Sequence, residues 1–361
     1  MDRSHFTKLV PIVILVVAVA GSWAATNAFR QRADGSSWLA SCWRIEAGAE
    51  QVECLSGRLR SGARAAIGTA TGPDRDTQLL QFVRDTEQLA ATEQRLAGSC
   101  HPAMHDLGRS EGRRSARVGA PPAFPGGASQ LCTAGYVHGL AEGYLTGTPD
   151  AQVASVFPAL CHDTKAREGC AHGVGHALLR ARTEEPAVAA ARGATNRCRD
   201  LPAAFPTNCQ NGVYMELAMR TAPAPVTAES YVRTCRSTSD IALSLSCWGY
   251  LGLSLNTNDV PRGETPRWCA KADLPGQFTC IDEYGRSLGV EGVEACSASA
   301  PVAALRERCV DGAIGLQVGS GHVSRSEAES ACRALDGPLE PYCTKAVARY
   351  ARGKAAVEAD A

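Results

Sequence analysis

Five of the chain's eight histidines recur at related distances behind cysteines. His101 and His105 follow Cys100 by one and five residues, His138 follows Cys132 by six, and His172 and His176 follow Cys170 by two and six. Residues four apart share one face of a helix, so His101 with His105, and His172 with His176, can each grip one cation. Neutral imidazoles suit zinc, copper, iron and nickel alike. Glu142 and Glu216 are the weaker candidates for an oxygen ligand, with Asp106 beside His105 as another. Three or four imidazoles plus one carboxylate would fit a catalytic zinc, a mononuclear copper or a non-haem iron. No CxxCH stands in the chain, which disfavours covalent c-type haem and leaves non-covalent bis-histidine haem open. The competing reading is that these histidines only fill gaps between packed helices.

The offset of six bears on the choice. His138 and His176 both occupy it, and later cysteines have Met215, Leu253, Arg286, Gly315 and Arg349 there. The fold therefore does not demand histidine at that place. If successive units stack, His138 and His176 lie on one shared face of helices whose axes are about 10 Å apart. His162, in the loop CHDTKAREGC, reads as solvent-exposed, and no role falls to His5 or His322.

The elements that must position these residues are set by the cysteines. From Cys161 on they form pairs 9 to 13 positions apart: Cys161 with Cys170, Cys198 with Cys209, Cys235 with Cys247, Cys269 with Cys280, Cys296 with Cys309, Cys332 with Cys343. Cys42 with Cys54 has similar spacing, and Cys100 with Cys132 takes the remaining two. The second members recur every 29 to 39 residues, a period of stacked helical hairpins. Each unit has a helix-compatible segment such as DAQVASVFPALC, a loop, then a cysteine opening a second helix such as CAHGVGHALLRAR. A single hairpin of this size cannot bury its apolar face alone, and a disulfide closing such a loop stabilises it by roughly 3 kcal/mol. Gly135, Gly173, Gly212 and Gly312 all stand three places after a cysteine. Glycine is a poor helix former, so the recurrence implies close approach of a neighbouring helix, most of all along Gly135, Gly139 and Gly143.

The period, the cysteine pairing and the glycine-bearing second helix resemble the Sel1-like repeat family, in particular its secreted, cysteine-rich members, over about residues 130–350. The resemblance implies a curved scaffold suited to binding other molecules. The cysteine loops are longer here, and the family's glycine-rich turn followed by an alanine and tyrosine pair is absent. The expected fold is all-α: an αα-hairpin repeat solenoid with one disulfide per repeat, preceded by an N-terminal transmembrane or signal helix.

Residues 1–8 read as a cytoplasmic N-terminus and 9–29, which contain no charge, as a transmembrane signal anchor. Ala18 and Ala20 offer the alternative of a cleaved signal peptide. Residues 30–75 read as a poorly packed lead-in around the Cys42–Cys54 staple. A helix is expected over Asp76 to Gly98. The repeats then fill 76–350, with histidine-bearing units in 99–180 and histidine-poor ones in 181–350, and 351–361 form a polar tail. Sixteen cysteines at regular spacing without any CxxC point to disulfides in an oxidising compartment and away from a zinc framework. The bulk of the chain is therefore expected to be membrane-anchored and extracytoplasmic, periplasmic or extracellular.

With 37 basic against 37 acidic residues there is no basic excess to hold nucleic acid. HExxH, the P-loop and GxGxxG are absent, and the two GxSxG matches, Gly108–Gly112 and Gly285–Gly289, lie in helix-compatible segments without the strand-to-helix turn of a nucleophile elbow. Any catalysis would be run by the histidine cluster and its ion. Two functions follow as expectations. One is a histidine-rich transition-metal or haem site used in redox chemistry or metal handling. The other is a non-enzymatic interaction scaffold of the cell envelope, with a protein partner on the concave repeat face.

Overall fold

A computed structural model describes residues 38–45, 49–126, 132–182, 184–219, 226–254, 261–319 and 323–359. The segment 9–29 expected to span a membrane lies outside them, as do His5 and His322. Among the described residues no helix is long and apolar enough to cross a membrane.

All regular structure among the described residues is helical, and eight disulfides join the same cysteine pairs that the spacing suggests. The chain begins with α1 (Ala49–Ile67), α2 (Gly72–Thr92), α3 (Gln94–Val118) and α4 (Cys132–Leu145). Hairpins follow: α5 (Asp150–Leu160) with α6 (Arg167–Arg180), α7 (Ala187–Cys198) with α8 (Pro206–Met219), and α9 (Ala228–Arg236) with α10 (Ile241–Ser254). Then come α11 (Thr265–Cys269) with α12 (Leu274–Leu288), a 3-10 stretch (Val290–Ala298) with α13 (Ala303–Gly319), and α14 (Arg325–Cys332) with α15 (Leu339–Ala359). The longer helices α3, α4, α6, α8, α10, α12, α13 and α15 pack in that order, each on the next. Every cysteine is buried between the layers except Cys54, which is partly so.

Four expectations are corrected. The lead-in is not loosely packed: Leu55, Leu59 and Ala63, one turn apart along α1, are buried, and Phe82 of α2 closes over Gly62. The helix expected over 76–98 ends at Thr92, where Glu93 turns extended (φ −108°, ψ 97°) with its N–H still on Leu89 O. That break re-aims α3 so that Leu96, Cys100, Met104 and Leu107 face the core, with Cys100 inside the helix instead of at its start. The segments before Cys269 and Cys296 are not full helices: one is a five-residue helix, the other a 3-10 stretch broken at Gly292. The tail continues α15 as far as Ala359, in keeping with the high helix propensity of its alanines and glutamate.

Glycine sets the spacing of the first helices. A Cβ added at Gly135, Gly139 or Gly143 would come within 2.1, 1.9 and 2.1 Å of the carbonyl oxygens of His101, His105 and Arg109. Both series of numbers ascend together, so α3 and α4 run parallel with backbones in contact. Gly173 meets His138 O and Gly212 meets His172 O in the same way, at 2.3 and 1.9 Å. Twelve of the 14 residues of α4 are buried. A helix enclosed this closely can only be built with small residues on its packing faces. Its N-terminus is held by Glu87 of α2, whose Oε2 accepts from the N–H groups of Cys132 (2.9 Å) and Thr133 (2.8 Å) and from the Thr133 hydroxyl (3.0 Å).

Candidate metal centre

Parallel packing at glycine contact brings five imidazoles from three helices into one cluster. His101 and His105 project from α3, His138 from α4, and His172 and His176 from α6. Ring centroids lie 5.1 Å apart for His101 and His138, 4.2 Å for His138 and His172, 4.9 Å for His105 and His176, and 5.9 Å for His138 and His176. His162 stays outside, exposed and edge-on to Phe124.

The cluster has two tiers. The upper one contains imidazoles and, from α8, the thioether of Met215, whose Sδ is 3.3 Å from His172 Nε2. The lower one adds charge. Glu142 and Glu216, both buried, face Arg109 and Arg180: Glu142 Oε1 is 2.7 Å from Arg109 Nε and 3.0 Å from Arg180 Nε, and Glu216 Oε1 is 2.7 Å from Arg180 Nε. Asp106 pairs with Arg109 at 2.9 Å on the rim and is not among the clustered carboxylates. Arg180, its side chain 42 % exposed, separates the lower tier from solvent.

Burial pushes His105, His138 and His172 well below the ordinary histidine value, and nearby positive charges or imidazoles add to the effect. These three rings are therefore neutral at pH 7, the state in which imidazole binds a metal without first losing a proton. Burial alone would raise the Glu216 carboxyl, but the hydrogen bond from His176 and the charge of Arg180 outweigh it and hold Glu216 ionised.

The hydrogen-bond pattern fixes which ring nitrogens are available. His176 Nδ1–H donates to Glu216 Oε2 at 2.8 Å, so the lone pair of the neutral ring falls on Nε2, which is buried and has no protein partner. A carboxylate behind one nitrogen with the other nitrogen open is the arrangement that orients a metal-binding histidine. His105 Nδ1 accepts from Arg109 Nη2 at 3.1 Å, since a guanidinium can only donate. Moving the ring proton to Nδ1 would turn that nitrogen toward Glu142 Oε2, 3.5 Å away, buried and itself without a hydrogen bond. His105 Nε2 and His138 Nδ1 are also buried and unpartnered. His105, His138 and His176 each offer a ligand atom within 4.8 Å of the others, and so do Glu142, His176 and Glu216. A tetrahedral ion with ~2.0–2.1 Å bonds needs donors about 3.3 Å apart, so an ion would draw these side chains inward.

Arg109, Arg180 and Met215 were not expected at the site. The signal for Arg180 was available, because it stands ten residues after Cys170 as Glu142 stands ten after Cys132. Met215 counted only as a sign that the offset of six tolerates other residues, yet the structure sets it against His172.

Compared with protein-family models, characterised proteins and solved structures, the chain matches none of them.

Proposed function

We propose that this chain is a membrane-anchored, extracytoplasmic helical-hairpin solenoid of Sel1-like kind. Its N-terminal units hold a transition-metal site, used in redox chemistry or metal handling. One observation supports the site above all others: His105, His138 and His176, whose ligand atoms converge, each also bury a ring nitrogen that has no protein partner. An unsatisfied buried polar atom costs roughly 1–3 kcal/mol, and a cation satisfies three of them at once. Zinc, copper and iron all suit the donors. A bare ion fits better than non-covalent haem, because rings with centroids 4.2 to 6.5 Å apart leave no slot for a porphyrin between them. The disulfides support the extracytoplasmic placement.

Metal and haem content of the purified full chain, with His138→Ala and His176→Ala beside it, tests the reading. The expected result is near one equivalent of metal in the unaltered chain and a large loss in both variants. Equal, negligible content in all three would refute it.

The second reading, a non-enzymatic scaffold whose histidines only pack, draws on the fact that Arg109 and Arg180 already neutralise Glu142 and Glu216. It predicts that capture of a protein partner on the concave face survives both histidine substitutions.

A further inference from the structure

Charge balance and a single thioether narrow the ion. Three carboxylates, Glu142, Glu216 and Asp106, meet two guanidiniums, Arg109 and Arg180, so the acidic and guanidinium groups around the rings carry one net negative charge. A monovalent cation therefore brings this largely buried site into balance, whereas a divalent one leaves a positive charge in excess. Desolvation grows with the square of the charge, about fourfold for a divalent over a monovalent ion of similar size. The site favours low charge.

Met215 adds the chemical preference. Its Sδ faces His172 Nε2 at 3.3 Å, and a thioether is a soft donor that selects cuprous copper over harder ions. Nitrogen and sulfur bonds of about 2.0 and 2.3 Å meeting at a tetrahedral angle place the donors roughly 3.5 Å apart, close to that separation. Packing does not demand sulfur here, since Leu253 fills the same offset in the next unit. The pair is continuous with the buried triad, because His138 stacks on His172 with centroids 4.2 Å apart.

We propose that the histidine cluster takes cuprous copper, with His172 and Met215 as ligands at its outer end and His138, His105 and His176 behind them. The proposal rests on the metal-site reading above. It distinguishes this cluster from a zinc or iron site by the donor that neither of those ions favours.

The test is anaerobic competition of the full chain against a chromogenic cuprous chelator, with a parallel zinc titration, for the unaltered protein and Met215→Leu. The expected result is a cuprous affinity about tenfold or more weaker in the variant, with zinc affinity changed less than about twofold and the circular dichroism unchanged. X-ray absorption at the copper edge of the loaded, unaltered protein should also find a sulfur scatterer near 2.3 Å. Unchanged cuprous affinity in the variant, or nitrogen and oxygen scatterers alone, would overturn the proposal and leave the metal site standing. Zinc uptake with cuprous copper rejected would do the same. Failure to bind either ion would overturn both.

Discussion

The histidine-bearing helices α3, α4, α6 and α8 and the later helices α10, α12, α13 and α15 are built on one plan with two different contents. Both halves have a disulfide within the first two turns of each long helix, and both pack at glycine contact. In the later half a Cβ at Gly252, Gly285 or Gly312 would fall 2.1, 2.1 and 2.0 Å from the carbonyls of Cys280, Cys309 and Asp282. The polar groups differ. Asp282 is satisfied by Arg308 at 3.0 Å and Arg286 at 3.3 Å, and Asp311 accepts from Tyr342 at 2.8 Å and pairs with Arg349. Those arginines are 44 to 53 % exposed, so each pair has its cation in water even though Asp282 itself is buried. The histidine half instead buries imidazoles, of which His105, His138 and His176 each keep one nitrogen without a protein partner. The shared framework needs neither arrangement, so one packing plan accommodates both.

That comparison can be broken in order of expected effect. Gly139→Ala and Gly312→Ala should each destabilise by about 3 kcal/mol or more, since both would drive a methyl into a backbone carbonyl. Gly57→Ala, with nothing within 4 Å, should instead stabilise by roughly 0.5–1 kcal/mol. Urea midpoints read all three. A large loss confined to Gly139 would mean that only the first half is held at glycine contact. Arg109→Ala, which leaves Glu142 buried with Arg180 as its sole cation, should cost about 2–4 kcal/mol. Arg308→Ala removes a half-exposed cation and leaves Arg286 on Asp282, so it should cost about 1 kcal/mol or less. Comparable losses at the two would erase the distinction between the halves.

The halves should also differ in their response to acid. His105, His138 and His172 titrate below their ordinary value of 6.5 in the folded chain. Below that pH the unfolded chain therefore binds protons that the folded chain does not. Stability is full above about 6.5 and falls with decreasing pH by up to roughly 1.4 kcal/mol per pH unit for each ring that stays neutral. Urea midpoints measured in chelator from pH 7.5 to 5.5 should show this slope, and the double variant His105→Asn, His138→Asn should flatten it. A slope unchanged in the variant would place the acid sensitivity elsewhere.

Much of this was legible because the cysteines act as rulers. Once they are paired at 9 to 13 residues, offsets from them become positions on adjacent parallel helices, and that makes a cluster from His101, His105, His138, His172 and His176. What was missed depends on the third dimension. Glu93 breaks a helix without glycine or proline to mark it, and Leu55, Leu59 and Ala63 form an apolar stripe too short to stand out in a polar stretch. Arg109 and Arg180 reach the site because long side chains extend along the helix surface. No spacing rule announces that a thioether will stop beside His172.

The most direct test of the central claim is anomalous diffraction, at the absorption edge of the bound metal, from crystals of the metal-loaded chain. The account predicts one strong peak about 2.0–2.1 Å from His105 Nε2, His138 Nδ1 or His176 Nε2, with the other two rings drawn toward it. A peak only at exposed His162, or none in the cluster while metal is present in the crystal, would contradict it.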